Sequence, residues 1–433
     1  MREASERLER AGFQELREKD PWDLKPGGRY YFNRNMSALV AFAVGRKYQP
    51  GDGFVIMGAH TDSPCPKLKP EPAVKKGGFL QVGCQPYGGG IWHTWFDRDL
   101  GVAGRVLVRG PDGSLTQRLL KVERPILRIP SLAIHLDRNV NSSFEVNFQK
   151  HMAPVLALQQ GGDGPPDIIQ TLAEELGCAA EDITDFDLQL CDVQPAALGG
   201  SRMEFVNSGR LDNLCMSHLA LQALIETSAA EGTLDEENCV RTVALFDHEE
   251  CGSVSAEGAG SSLMIEFVRR VSGVLAGGSG VEEVLAQACR RSFLVSADMA
   301  HALHPNYLEM HCANHQVAFG EGVVIKHNAN QRYSTNSLTS ALFRECGRAA
   351  GLPVQDFVMR ADLACGSTIG PTLSSSLSVR TVDVGIPQLS MHSIREMCAA
   401  RDVELCAEHF AAVFREFSRL DRQVREEPAA GGA

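Results

Sequence analysis

Acidic and histidine side chains follow several apolar runs of this sequence at the points where those runs end. His60 and Asp62 follow one run, Glu249 and Glu250 follow the next, and Asp298 ends a third. Because strand ends in an open α/β sheet meet in the crevice that binds ligands, we expect these side chains to lie close together. Imidazole nitrogen and carboxylate oxygen are ligands for zinc, manganese or cobalt. The pattern therefore predicts a site for divalent metal ions.

Asp212 and His392 extend this set of candidate ligands, although each of them alone is ambiguous. Asp212 begins a predicted helix, where an aspartate often caps the first turn, but its two oxygens could also bridge two cations. His392 lies in a loop after the last predicted strand. Two histidines with three or four carboxylates fit two metal ions that share a carboxylate better than they fit one.

The adjacent Glu249 and Glu250 repel each other unless cations or solvent separate them. Solvent suffices at a surface, but a position directly after a buried strand favours the crevice. In a hydrolase, one such carboxylate can bind a metal while its neighbour accepts the proton of the attacking water. At residues 60–62, Asp62 can hydrogen-bond to the His60 ring and orient it, although a loop hydrogen-bond pair is the simpler interpretation of these two residues alone.

The elements that must hold these residues alternate between strands and helices. We predict buried strands at residues 54–57, 240–246, 293–295, 323–325 and 379–384, and helices at residues 211–227, 263–276, 335–350 and 403–420. This alternation is typical of an α/β fold with a mostly parallel central sheet flanked by helices. Short strands and hairpin turns between about residues 78 and 200 indicate an inserted β-rich domain.

These patterns assign residues 1–80 and 201–433 to a discontinuous catalytic domain and residues 81–200 to the insert. A surface loop is expected at residues 161–166 and a frayed tail after Glu427.

Composition excludes several classes of partner. The net charge of −12 over 433 residues disfavours nucleic acid and anionic membranes, which are themselves negatively charged. No apolar run reaches the roughly 18 to 20 residues that cross a bilayer. The 13 cysteines are scattered and form no C-x-x-C pair, which favours reduced thiols and a cytoplasmic location.

Read together, the motifs resemble those of the aspartyl aminopeptidase family. They are AHTDSP at residues 59–64, GGGIWHTWFDRD at 88–99, RLDN at 210–213, ADMAH at 297–301 and MHSIRE at 391–396, with the glutamate pair between them. Two departures are His248, where the family usually has Asn, and Cys251, where it usually has Val. The resemblance implies an enzyme that removes amino-terminal Asp or Glu from peptides.

The resemblance also implies roles for individual residues. Two divalent ions, zinc or else manganese or cobalt, would be bound by His60 and Glu250 on one side and by Asp298 and His392 on the other, with Asp212 bridging, Glu249 as general base and Asp62 orienting His60.

Lys326, which its position alone would assign to the surface, would pair with the acidic side chain of the substrate. His301 and Tyr333 would approach the substrate carbonyl. His135 would reach the active site of a neighbouring subunit in a tetrahedral assembly of twelve subunits.

Two other functions remain open at this point. A related two-metal acylase could use the same ligands on an N-acyl amino acid. A scaffold protein could retain the fold without catalysis, although it would have no need of Glu249.

Overall fold

Runs of β-branched and aromatic residues form strands at the five places where the sequence predicts them. Three of these strands, Phe54–His60, Val240–Phe246 and Phe293–Ala297, are buried along their whole length. Each lies between two other strands, so both of its faces require apolar cover. The computed structural model describes residues 1–159 and 165–425, and most of the predicted loop at 161–166 and the predicted tail lie outside these ranges.

The described residues form the following elements. The strands are β1 (Gln14–Glu15), β2 (Arg29–Arg34), β3 (Ala38–Val44), β4 (Phe54–His60), β5 (Cys65–Lys76), β6 (Phe79–Tyr87), β7 (Leu100–Arg109), β8 (Leu115–Lys121), β9 (Val155–Leu158), β10 (Ile183–Asp192), β11 (Ala197–Gly199), β12 (Phe205–Ser208), β13 (Val240–Phe246), β14 (Phe293–Ala297), β15 (Ala300–His301), β16 (Val323–His327), β17 (Val354–Val358), β18 (Arg380–Gly385), β19 (Pro387–Leu389) and β20 (Glu396–Ala399).

The helices are α1 (Arg2–Arg10), α2 (Phe148–His151), α3 (Ile168–Leu176), α4 (Leu211–Ser228), α5 (Leu263–Leu275), α6 (Val281–Arg291), α7 (Ser337–Arg348), α8 (Ile369–Leu377) and α9 (Ala400–Asp421). Over the described ranges, none of them is both long enough and apolar enough to cross a bilayer.

A nine-stranded sheet has the order β1-β2-β3-β13-β4-β14-β18-β16-β17. Its central strands β13, β4, β14 and β18 are parallel, whereas β3 and β16 join them in the antiparallel direction. The sheet is therefore mixed, with four parallel strands in its centre. A smaller five-stranded sheet has the order β11-β12-β20-β19-β15.

Alternating side chains of the central strands supply two separate cores, one on each face of the large sheet. In β4, Val55 and Met57 pack into one core, with apolar residues of α4, α7 and α9. Phe54 and Ile56 pack into the other, with residues of α5, α6 and α8. This division follows from the two-residue period of a strand. Helices on both faces hold the central strand ends in fixed positions.

The chain divides into two compact units. The first contains residues 1–62, 198–391 and 397 onward, and the second contains residues 63–197 and 392–396. The second unit has its own core around the six-stranded sheet β8-β7-β10-β5-β6-β9. Its limits differ from the predicted 81–200 because β5 and β6 form one antiparallel hairpin, in which Lys76 pairs with Phe79. A boundary at residue 80 would cut that hairpin.

His409 of α9 is buried and has no charged partner among the described residues, and this has consequences for stability. Its ring stacks on Phe343 with 4.2 Å between ring centroids, and its Nε2 atom lies 2.9 Å from the Phe343 carbonyl oxygen. Burial lowers the pKa of His409 to about 4, against the opposing effect of this hydrogen bond. The unfolded chain binds a proton at this imidazole more readily than the folded chain does. The free energy of unfolding is therefore highest above the unfolded pKa of about 6.5, and it decreases as the pH falls from there toward about 4.

We expect the free energy of unfolding to decrease more steeply on acidification in the wild type than in His409→Gln. Between about pH 7.5 and about pH 5 the difference between the two decreases should be about 2 kcal/mol. Urea unfolding of both proteins at the two pH values measures it, and equal decreases would contradict the prediction.

Candidate metal centre

His60 is the last residue of β4, and its imidazole faces several carboxylates. The side chain is 1% exposed. Its Nε2 atom lies 3.4 Å from Asp212 Oδ1, 3.8 Å from Asp298 Oδ1 and 3.9 Å from Glu249 Oε2. Burial opposes a charge on the ring, but hydrogen bonds with Asp212, Asp298 and Asp62 raise the pKa of His60 well above its ordinary value. The centre therefore has an excess of negative charge that favours a cation.

The carboxylate of Asp62 contacts both the imidazole and the turn that carries the glutamate pair. Its Oδ1 atom lies 3.3 Å from His60 Nδ1, and the Asp62 carbonyl oxygen lies 3.1 Å from the same nitrogen. The amide of Glu249 donates to Oδ1 at 3.2 Å, and the amide of Glu250 donates to Oδ2 at 3.0 Å. One side chain thus fixes the ring orientation and the backbone of the acidic turn.

The acidic turn is a short 3₁₀ helix, Glu249–Cys251, that directly follows β13. It begins after His248, which has a φ angle of 62° and so lies in the left-handed region. Asn and His adopt this conformation more readily than most residues with a side chain, so His248 suits this position. The His248 ring is 2.8 Å from Ser255 Oγ.

Asp212 lies in the first turn of α4 and is 3% exposed. Asn213 and Ser217 of the same helix bind the strand ends beside it. The Asn213 side-chain amide donates to the Ala297 carbonyl at 2.8 Å, and the Ser217 hydroxyl donates to the His60 carbonyl at 2.7 Å. The helix start is therefore attached to both β14 and β4. The peptide bond between Asp212 and Asn213 is cis.

Asp298 directly follows β14 and approaches the neighbouring strand β18 very closely. Its amide donates to the Val384 carbonyl at 2.8 Å. A Cβ atom at Gly385 would lie 1.8 Å from the Asp298 carbonyl oxygen, so this position requires glycine. This close contact fixes the backbone position of Asp298, and with it the point from which the carboxylate side chain extends.

Three of these residues can hold one metal ion together. His60, Asp212 and Glu250 each offer a ligand atom, and these atoms all lie within 4.8 Å of one another. One nitrogen and two carboxylate oxygens suit zinc and related divalent ions. Glu249 lies beside them; burial raises its pKa to about 7, the charge of His60 opposes the increase, and the negative charge of Asp298 adds to it. The first unit thus brings together four of the five predicted ligands and the predicted base.

Two of the other predicted histidines, His392 and His135, belong to the second unit. The ring of His392 is held by a 2.8 Å contact between Nδ1 and the Gly89 carbonyl oxygen. This hydrogen bond assigns the proton to Nδ1 and the lone pair to Nε2, the usual state of a ligating histidine. His135 is exposed. The metal role of His392 and the intersubunit role of His135 stay predictions.

The predicted substrate-binding residues of the first unit are more buried than the sequence suggests. Lys326 of β16 is only 4% exposed, and its Nζ atom lies 5.5 Å from the centroid of the Tyr333 ring. Burial raises the pKa of Tyr333, and the negative charges of Cys365 and Asp298 add to the increase. Position alone would assign Lys326 to the surface, and the structure corrects that interpretation.

His301 lines a cavity of about 240 Å³ whose wall also includes His304, Arg360 and Met391. Its ring centroid lies 5.8 Å from that of Phe357. This cavity was not predicted, because its walls come from segments far apart in the sequence.

The sequence patterns also gave no indication of Asp383. It is fully buried in β18, between Val382 and Val384. A charged residue in the middle of an apolar strand is rarely buried without a specific partner, and that signal could have identified it.

Comparisons with known proteins show the family of the chain. The family model described as aminopeptidase I zinc metalloprotease (M18) matches residues 1–414. A probable aspartyl aminopeptidase of Ricinus communis is 52% identical, over 98% of this chain and 93% of that protein.

Two solved structures share the fold over nearly the whole chain. A chain of the Ape4 and Nbr1 complex superimposes with a TM-score of 0.94 at 42% identity, covering 99% of this chain and 84% of that one. The S. cerevisiae mApe1 dodecamer gives a TM-score of 0.83 at 29% identity, covering 98% and 94%. With the family match, the full-length relative and the buried imidazole and carboxylate centre, the chain belongs to the M18 family of zinc metallo-aminopeptidases.

Proposed function

We propose that this protein removes amino-terminal Asp or Glu from peptides at the centre around His60. The observation that carries this proposal is the convergence of one buried imidazole and several carboxylates at the ends of β4, β13 and β14. The name of the Ricinus communis relative supports an acidic amino-terminal residue as the substrate.

The centre would hold two divalent ions, with zinc as the proposed metal. His60 and Glu250 would bind one ion, Asp298 would bind the other, and Asp212 would bridge them, while His392 is the further ligand that the family resemblance predicts. Manganese and cobalt accept the same donors, so availability would also decide which metal is bound. When bound, such ions lower the pKa of water and polarise the scissile carbonyl.

Glu249 is the proposed general base. It would accept a proton from the attacking water and return it to the leaving amine. A carboxylate with a pKa near neutrality is suited to both transfers, and burial of Glu249 works in that direction. Asp62 contributes by holding the Glu249 amide and the His60 ring in one arrangement.

Lys326 is the proposed determinant of acidic specificity. Its ammonium is largely removed from water, where a charge-assisted hydrogen bond to a substrate carboxylate is stronger than at a surface. Tyr333 lies beside Lys326 and is influenced by the charge of Asp298. His301 and Tyr333 are proposed to contact the substrate carbonyl.

We further propose that the protein assembles as a tetrahedral dodecamer and acts in the cytoplasm. The segment around His135 exposes Leu132, Ile134, Leu136 and Phe144, with Leu136 75% exposed. Exposed apolar side chains at this density are typical of a protein interface. All 13 cysteines lie in the described part of the chain and none forms a disulfide there, which agrees with a reducing compartment.

Substituting Asp62 by Asn should weaken metal binding although Asp62 is not a proposed ligand. The change removes the charge beside His60 and one acceptor for the Glu249 and Glu250 amides, so we expect a loss of about 10- to 100-fold in metal affinity. Metal content during titration with a chelator measures it.

Glu250→Gln, which removes a proposed ligand, should lose metal at a still lower chelator concentration. Glu257→Gln, a matched change in the following loop, should behave as the wild type. Wild-type metal retention in Asp62→Asn would exclude the orienting role.

Release of free amino acid from peptides that begin with Asp, Glu, Leu or Lys tests the activity itself. We expect cleavage only of the peptides with acidic ends, complete loss on chelation, and a decrease in kcat of at least about 100-fold in Glu249→Gln with metal still bound. N-acetyl-Asp in the same assay tests the acylase alternative. Hydrolysis of that compound alone would favour an acylase, and no hydrolysis by metal-loaded protein would favour a scaffold.

The native mass tests the assembly. Twelve copies of the 47.0 kDa chain give about 560 kDa by light scattering. Leu136→Glu should reduce this mass, whereas Leu115→Glu, at an exposed leucine outside the segment, should not. A wild-type protein that stays monomeric would contradict the proposal.

A further inference from the structure

Asp383 has no exposed surface, and its carboxylate accepts two hydrogen bonds, one of them from the residue that follows Tyr333. The amide of Ser334, next to Tyr333, donates to Oδ2 at 2.6 Å, and the hydroxyl of Thr368 donates to Oδ1 at 2.5 Å. The Asp383 amide in turn donates to Thr335 Oγ1 at 2.9 Å. The carboxylate and the backbone amide of Asp383 therefore both bind the segment that follows Tyr333.

Strand register places Lys326 opposite this carboxylate. β16 and β18 are antiparallel, with Val324 opposite Gly385 and Ile325 opposite Val384. Extending this register by one residue places Lys326 opposite Asp383, and opposite residues of an antiparallel pair extend their side chains from the same face. Lys326 and Asp383 are thus two buried, oppositely charged residues on neighbouring strands.

The electrostatic effects on Asp383 agree with this placement. Burial raises its pKa above the ordinary value, while the hydrogen bonds from Thr368 and Ser334 and the positive charge of Lys326 oppose the increase. A buried ammonium such as that of Lys326 is itself costly unless a negative charge lies near it.

We propose that Asp383 is a positioning residue for substrate selection, whose carboxylate holds the Lys326 ammonium and the Tyr333 segment in place to receive an acidic side chain. This inference rests on the proposed role of Lys326. Asp383 does not contact the substrate in this scheme and acts through Lys326 and the Ser334 amide.

Gly370 is part of the same arrangement. A Cβ atom at this position would lie 2.2 Å from Asp383 Oδ1, so glycine leaves the space that the carboxylate occupies. Replacing Gly370 by Ala would displace the carboxylate without removing its charge.

The test compares kcat and KM for two peptides that begin with Asp and Asn, which have nearly the same shape and differ in charge. In Asp383→Asn we expect the ratio of the two kcat/KM values to fall about tenfold, through a higher KM for the Asp peptide, with kcat for the Asn peptide and metal content close to wild type. Gly370→Ala should lower the ratio in the same direction and serves if Asp383→Asn fails to fold.

A double-mutant cycle with Lys326→Met separates positioning from a general defect. If Asp383 acts through Lys326, the Asp383→Asn change should have no further effect on the ratio in the Lys326→Met background. An additional fall there, or a ratio in Asp383→Asn equal to or above the wild-type value, would overturn the inference. A wild-type ratio in Lys326→Met would contradict the proposed specificity residue, and this inference with it.

Asp402→Asn is the matched control. Asp402 is also fully buried, and it accepts hydrogen bonds from the amides of Gly320 at 2.8 Å and Gly322 at 2.9 Å. We expect this change to leave the ratio unaffected. A fall equal to that of Asp383→Asn would mean that loss of any buried acid alters selectivity, which would also overturn the inference.

Discussion

The arrangement of the centre depends on the carboxylate that Asp62 shares between an imidazole and two backbone amides. β4 and β13 are parallel neighbours in which His60 pairs with Phe246, so the chain leaves both strands at the same level. Asp62 then lies within hydrogen-bonding distance of the Glu249 and Glu250 amides. The register of these two strands therefore determines where the His60 ring lies relative to Glu249 and Glu250.

The negative charges of the carboxylates around His60 make folding less favourable unless other interactions or a bound cation compensate them. Asp212 and Asp298 are both largely buried, and each contacts His60 through a carboxylate oxygen. Burying several carboxylates around one imidazole costs free energy, which the apolar cores on the two faces of the sheet must offset. Metal binding would add stability to the folded state alone, since the unfolded chain does not hold these ligands together. Folding and metal occupancy are expected to be coupled here.

The sequence predicts best the limits of those strands and helices that depend on a local pattern of residues. The strand Val240–Phe246 has the predicted limits, and α4 runs one residue beyond its predicted end, because short apolar runs and helical periodicity are local signals. The residues at the strand ends were identified for the same reason. The limits of the second unit were not, since the hairpin of β5 and β6 is visible only through pairing. The pairing of Asp383 with the Ser334 amide likewise joins residues far apart in sequence.

Lys326 shows why such long-range pairing matters for chemistry. In sequence it follows Val323, Val324 and Ile325, and nothing local distinguishes it from a lysine that ends a strand at the surface. In the folded chain it lies beside the Tyr333 ring and under the influence of a buried carboxylate. The field of an ammonium is strong at low dielectric and weak in water, so the same residue attracts an acidic group effectively only when it is buried. Burial in turn requires a nearby negative charge, and Asp383 of the neighbouring strand β18 can supply it. Substrate preference would thus arise from how β16 and β18 pair, rather than from the presence of a lysine alone.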